Sequence, residues 1–411
     1  MPILLPEDRN IRFPKMMKIR QKFDTYKVEN VKQSVTDILK RKEIESLIYP
    51  GQKIAVAVGS RKIDRIAEVV AQLISELIER GAEPFIVPAM GSHGGGRAEG
   101  CLQILKDFGI TEESMGVPIR AEMDVIKLGV TKGGIEVYTD KNSYEADMTI
   151  LVNRIKPHTE FSGDYESGLC KLSTIGLGRH VGCTKLHDGG TENFSVIIPE
   201  AAQVVFRESN IGFAIGIVEN AYDRIKLIEG MTKDEILLRE PELLKTAKRS
   251  MPSIGIKDID VLIVEELGKD ISGIGMDPNI IGRFGPKADD PMVPKIGKII
   301  VLRLSRQTHG NACGIGLADL TTREVYDSID FESTYANCIA CGCDYETEYI
   351  PLVMSDEQEA LAAAIKMLKL QDPEKCRVVK IKNTLSLSEM EVSANLLDEI
   401  TAQPMRFDII G

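Results

Sequence analysis

The chain has 411 residues, 43% hydrophobic and 27% charged, which is apolar material enough for two or three domains; with aromatics at 5% and no Trp, their cores must be mostly aliphatic. A net charge of −11 and a pI near 5.2 argue against nucleic acid or an anionic membrane as the main partner, because either needs a basic face. No stretch reaches the ~20 apolar residues of a bilayer-spanning helix. The start "MPILLPEDRN" lacks the layout of a secretory signal, and eight cysteines in so long a chain do not resemble a disulfide framework, so the expectation is a cytoplasmic protein with reduced thiols.

The first clear unit begins at "KIAVAVG" (53–59), a short apolar run suited to a buried strand. Ile66, Val69, Val70, Leu73, Ile74, Leu77 and Ile78 then recur at helical spacing, Gly81 stops the helix, and "EPFIVPAM" reads as the next strand. Strand, helix, strand in so short a span is a βαβ unit and implies a parallel sheet. "ADMTILVN" (146–153) is a further buried strand, and "IGFAIGIVENAYDRIKLIEG" reads as two strands around a turn at Glu219–Asp223. The polar, then Pro/Gly-bearing "LLKTAKRSMPSIGIKD" marks a boundary, dividing the chain into an N-terminal α/β domain (1–252) and a C-terminal one (253–411), whose last segment could pack back on the first. In the second domain "DIDVLIVEEL" and "GKIIVLRL" are buried-type strands, "SDEQEALAAAIKMLKL" is a helix capped by Ser355 or Asp356, and "CRVVKIKN" reads as the last strand.

Three strands of the first half end in residues that make poor core: "GSR" (59–61), "GSHGGGR" (91–97) and "NRIKPH" (153–158). Ligands of open parallel sheets bind beyond the carboxyl ends of the strands, so these loops would offer Arg61, His93 and His158 to one cleft. Each alone reads better as a solvated or hydrogen-bonded loop residue; their coincidence points to a site. The backbone N–H groups of "GSHGGG" are suited to a phosphate, although the motif is neither a dinucleotide fingerprint nor a Walker loop. In "FSGDYESGLCK" the glycines let the backbone fold tightly enough to bring Lys171 beside His158. A desolvated lysine loses its proton and becomes a nucleophile able to hold a cofactor covalently. His180 and His187 lie downstream, and neutral imidazole binds Zn, Cu and Ni. Cys338, Cys341 and Cys343 in "NCIACGC" have metal-site spacing but no obvious fourth ligand, and ordinary thiols are the better reading. No GxSxG elbow supports a serine hydrolase.

"GSR", "GSHGGG", "NRIKPH…FSG…GLCK" and the downstream "LHDGG" together resemble the nickel-dependent lactate racemase family, over most of the chain. "GKDISGIGMDPNIIGR" (268–283) and "QTHGNACGIGLADLTTREVYDSIDFESTYAN" (307–337) look like a homologue branch rather than lactate racemase itself. The resemblance implies two α/β domains with parallel or mixed sheets and the active site in the cleft between them. It also implies a nickel-pincer nucleotide, a pyridinium mononucleotide whose sulfur arms hold nickel, bonded covalently to Lys171, with Ser60, Arg61, Gly94 and Gly95 on the cofactor and His187 completing the nickel coordination. His93 and His158 match the paired acid/base histidines, and Arg61, Asn279 and Arg283 match positions that contact substrate. Departures are the "DYES" segment between His158 and Lys171, the different surround of Arg61, and Arg283 where the family has lysine; all bear on the substrate.

The chemistry this implies is racemisation or epimerisation of a 2-hydroxy acid: hydride passes to the cofactor, one histidine takes the hydroxyl proton, and the 2-keto acid accepts hydride back on its other face. Inverting either hand needs a base on each side, hence two histidines, and an arginine fork suits the carboxylate. Cofactor-biosynthesis proteins are the implied maturation partners, and a homo-oligomer is left open. The rivals are a dehydrogenase or phosphate-binding transferase using the Gly-rich loop, and a non-catalytic homologue that binds metal or nucleotide.

Overall fold

The computed structural model describes residues 4, 8, 11–284, 293–341 and 345–411. The chain divides into two compact units, one of Asp24–Met251 and one of Met1–Phe23 with Pro252–Gly411. The C-terminal unit starts at Pro252, and the first 23 residues group with it rather than with the N-terminal one. The reason is strand pairing: β1 (Met16–Gln21) is a strand of the C-terminal sheet.

The 24–251 unit is built on a five-stranded sheet. Its strands are β2 (Lys53–Val58), β3 (Glu83–Pro88), β6 (Met148–Arg154), β7 (Ile211–Glu219) and β8 (Ile225–Thr232), in the order β3-β2-β6-β7-β8. All pairings are parallel except the β7–β8 hairpin. The hairpin turn is shaped by Asn220, whose side-chain oxygen accepts from the Tyr222 and Arg224 amides at 2.9 and 3.2 Å. Between β3 and β6 lies a separate two-stranded sheet of β4 (Val125–Val130) and β5 (Glu136–Asp140), which the periodicity reading missed.

Alternation along the strands serves two cores. Ile54, Val56 and Val58 of β2 face the helices Val31–Leu39 and Ile66–Glu79. Ala55 and Ala57 face the opposite side, where Phe161, Phe194 and the helices Phe194–Glu208 and Lys233–Ser250 pack. The expected helical stripe is buried from Ile66 to Leu77, while Ile78 stays exposed at its end.

The C-terminal unit carries an eight-stranded mixed sheet. It contains β9 (Asp258–Leu267), β10 (Lys295–Leu304), β11 (Leu320–Thr322), β12 (Leu352–Met354), β13 (Val378–Asn383), β14 (Ser386–Ser393) and β15 (Phe407–Ile409), in the order β12-β11-β10-β9-β13-β14-β1-β15. Strands β9 to β13 pair in parallel, and β14, β1 and β15 add on antiparallel. "CRVVKIKN" is therefore not the last strand; two more come after it. Asp356 caps the helix Glu357–Leu368 by accepting from the Glu359 amide at 2.9 Å, as one of its two candidate caps.

The final strand is short, and Phe407 at its start is only 4% exposed. Phe407→Ala is expected to lower the stability of this unit by about 3 kcal/mol through the cavity it leaves. Urea unfolding tracked by circular dichroism measures this, and an unchanged midpoint would show that β15 adds nothing.

Candidate active site

Strands β3, β2 and β6 are neighbours, so the loops after them emerge side by side. Gly59, at the end of β2, is required by contact: a Cβ there would sit 2.7 Å from the Asn153 side-chain oxygen of β6. Asn153 in turn donates to the Gly168 carbonyl at 2.9 Å, bracing the end of β6 against the turn that carries Lys171. After β3, Gly94 has φ +67°, and a Cβ on it would lie 2.6 Å from the Gly100 carbonyl carbon, so the Gly-rich turn packs backbone to backbone on the next helix.

The loop after β6 is closed by an antiparallel bridge, with Lys156 N–H to Ser167 at 2.8 Å and Ser167 N–H to Lys156 at 3.1 Å. Inside it lies the buried carboxylate of Glu166. It accepts from the His158 amide at 2.7 Å and the Gly163 amide at 3.2 Å, and pairs with Lys248 at 2.6 Å. Tyr165 donates to the Leu237 carbonyl at 2.6 Å. That carbonyl lacks its helical partner, because residue 241, four positions on, is a proline inside the helix Lys233–Ser250.

Lys171 ends the short helical segment Leu169–Lys171, which runs through a π turn (Leu172–Gly176) toward the helix Arg179–His187. Beneath it Glu240 is fully buried and accepts from the Cys170 amide at 2.9 Å; its other oxygen has no hydrogen-bond partner. Burial raises this carboxyl to about 7 against the pull of the Cys170 and Leu169 amides.

The Lys171 amine lies 2.6 Å from His158 Nε2. Burial, then the cations of Arg61 and Lys156, lower its pKa to about 8 although Glu160 and Cys183 oppose them. His158 Nδ1 accepts from the Glu160 amide at 3.1 Å. The hydrogen-bond pattern therefore assigns the ring proton to Nε2, facing the amine.

His93 keeps an exposed edge, yet crowding by surrounding protein, together with the nearby charges of Arg61 and Lys171, pushes its pKa to about 4, so it is neutral at physiological pH. Its Nδ1 is hydrogen-bonded to the Ser60 hydroxyl. His187 Nδ1 is 2.7 Å from the Cys183 carbonyl, so that nitrogen carries the proton and Nε2 presents its lone pair, the arrangement of a metal-ligating histidine. The rings form a chain: His158 on Phe161 at 4.4 Å, Phe161 edge-on to Phe194 at 5.5 Å, and Phe194 edge-on to His187 at 4.9 Å. Arg179, at the start of the His187 helix, is fully buried and bonds to Asp140 at 2.8 Å and to the Pro88 carbonyl, tying that helix to the ends of β5 and β3.

Ser60, Arg61, His93, His158, Lys171 and His187 thus gather on one face of the 24–251 unit, with Gly94 and Gly95 in the turn beside His93. A Cβ on Gly95 would meet nothing within 4 Å. Asn279 and Arg283 belong to the other unit. Arg283 is engaged there, donating to the Leu317 and Gly297 carbonyls at 3.0 and 3.3 Å and pairing with Asp319 at 2.6 Å; Asn279 donates to Asp277 at 2.9 Å. Cys343 and the side chains of Cys338 and Cys341 lie outside the described residues. Among the described residues no group of three or more His, Cys, Asp or Glu could hold a metal. A nickel group that brings its own sulfur donors and asks the protein for one imidazole and one amine fits this donor set.

Glu166, Glu240, Lys248 and Arg179 were missed from sequence. For Glu240 a signal exists: it falls on the stripe Ile236, Leu243, Leu244 and Ala247, where a carboxylate does not belong unless it has a task.

Residues 1–193 match the family described as lactate racemase N-terminal domain. Among solved structures the chain is similar to the lactate racemase apoprotein from Thermoanaerobacterium thermosaccharolyticum, with 15% identity and a TM-score of 0.56 over 94% of this chain and 96% of that one. No curated protein matches. The fold is the two-domain α/β fold of that neighbour, with parallel and mixed sheets. The family likeness thus covers the first 193 residues, and the structural likeness extends the shared fold over the rest of the chain.

Folding raises the Glu240 pKa from 4.5 to about 7, so its contribution to stability is fully present below pH 4.5 and is lost as pH rises through about 7. Glu240→Gln should remove about 3 kcal/mol of this pH dependence. Urea titrations of both proteins at pH 5 and pH 8 test it; equal pH slopes would place the carboxylate in water.

Proposed function

We propose that this chain is a racemase or epimerase of a 2-hydroxy acid, working with a nickel-pincer nucleotide attached to Lys171. The observation that carries the reading is the amine of Lys171, depressed to about 8 and 2.6 Å from His158, with His93 and His187 within electrostatic reach. When bound, the group supplies a hydride acceptor opposite the substrate carbon. Lys171 would hold it by its amine and His187 by Nε2. The open space at Gly95 leaves room for the close approach of a phosphate.

His93 is neutral and oriented by Ser60, which suits it to take a proton from a substrate hydroxyl. His158 is the second acid/base group. To exchange a proton at Nε2 its ring must carry the other proton on Nδ1, so the Glu160 amide has to move off that atom. Arg61 is the candidate carboxylate fork. Arg283 is the weaker candidate, since its guanidinium already serves Asp319 and two carbonyls. No described helix is long and apolar enough to cross a membrane. A cytoplasmic setting, maturation by cofactor-biosynthesis proteins and a 2-hydroxy acid substrate belong to the same proposal.

Protein produced with those biosynthesis proteins and nickel should show a mass adduct that Lys171→Ala loses, while His187→Ala keeps the organic adduct and loses nickel. Wild type without an adduct under these conditions overturns the cofactor assignment. On a panel of 2-hydroxy acids, His93→Ala and His158→Ala should each slow inversion by about 10² or more. Full interconversion by both variants would refute the two-base scheme.

A further inference from the structure

The contact between Lys171 and His158 has a direction. His158 Nδ1 accepts from the Glu160 amide at 3.1 Å, so its lone pair is spent and the neutral ring has its proton on Nε2. An ammonium facing that N–H would set two donors 2.6 Å apart with no acceptor between them; an uncharged amine accepts the N–H through its lone pair. The loop has little freedom to avoid this. Glu166 holds the His158 amide, Phe161 stacks on the ring at 4.4 Å, and Glu240 holds the Cys170 amide one residue before the lysine. The titratable groups around the amine are Glu160, Arg61, Lys156, Cys183, His93 and His187, and they pull in both directions. Burial and the imidazole donor therefore decide its state.

We propose that His158 acts on Lys171 before it acts on any substrate: its Nε2–H, oriented by the Glu160 amide, favours the uncharged, nucleophilic form of the amine and primes the free protein for acylation at Nζ. The inference rests on Lys171 being the attachment residue. In the acylation step the Nζ lone pair forms a bond to the acyl carbon, the bond from that carbon to its leaving group breaks, and the nitrogen sheds one proton, which leaves with the departing group. No oxidant or reductant takes part. An acylated nitrogen has delocalised its lone pair and accepts poorly, so the reaction also releases His158 Nε2 from the amine. One imidazole serves the attachment first and the substrate afterwards.

The test uses the full chain made without cofactor and acetic anhydride as probe, with Nα-acetyl-lysine amide in the same tube as reference and peptide mass spectrometry as readout. Acetylation of Lys171 should reach half its maximal rate about two pH units or more below the free lysine. His158→Ala and His158→Gln should each move that midpoint up by about one unit, cutting labelling at pH 7 about tenfold, with circular dichroism unchanged. No labelling up to pH 10, a wild-type midpoint equal to the reference, or midpoints unmoved in both variants overturns the proposal. Nitrogen-15 spectra of the histidines give an answer that needs no variant to fold: at pH 9, above the Lys171 pKa of about 8, His158 should show a protonated Nε2 and an unprotonated Nδ1, and the opposite tautomer overturns it. Neither measurement involves cofactor or substrate. Normal labelling with no nickel adduct would therefore sink the function proposed above and leave this inference standing.

Discussion

Two basic groups held 2.6 Å apart inside a protein cannot both be protonated, and much of the 24–251 unit is arranged to keep Lys171 and His158 in that contact. The helix Lys233–Ser250 does most of the holding. It presents Glu240 to the turn of Lys171, Lys248 to the carboxylate inside the His158 loop, and a proline-orphaned carbonyl to Tyr165. Three polar tethers from one helix reach both segments, and the edge-on rings of Phe161 and Phe194 fill the space between them and His187.

This arrangement is costly for a fold. A carboxylate with one unsatisfied oxygen in the core, an arginine without solvent contact and a half-buried lysine each lower stability unless a partner compensates. The compensation comes from backbone amides and carbonyls at strand and helix ends, where free donors and acceptors already exist. Parallel pairing of β3, β2 and β6 delivers those ends to one edge. Fold and site share that cause.

The same division explains how much was legible in the residues alone. Runs such as "KIAVAVG" and "ADMTILVN" are unmistakable because both faces of a central parallel strand are buried, and the chemistry-bearing loops stand at the carboxyl ends of those runs. β1 and β15 escaped because "MMKIRQ" and "FDI" are short, partly exposed and paired with strands hundreds of residues away, and β14 because the charges of "SLSEMEVS" mask the alternation of a strand buried on one face. The four catalytic and attachment candidates stood out as histidines and a lysine among glycines. Their supports did not, since a glutamate or lysine on an amphipathic helix normally reads as a solvated charge. Glu240 differs from its exposed neighbour Glu242 by standing on the apolar stripe of Ile236, Leu243, Leu244 and Ala247, a signal that Glu166 and Lys248 lack.

The π turn at Leu172–Gly176 fits one more residue into a coil than an α-helical turn holds. Each residue of a helix advances about 100° around its axis. Loss of a single residue there, whatever its identity, would swing the amine by roughly a quarter circle about the axis of the segment leading to His187, with every side chain chemically intact. Chain length in that stretch is thus an angular setting, and related proteins that differ there by one position would aim the same lysine elsewhere.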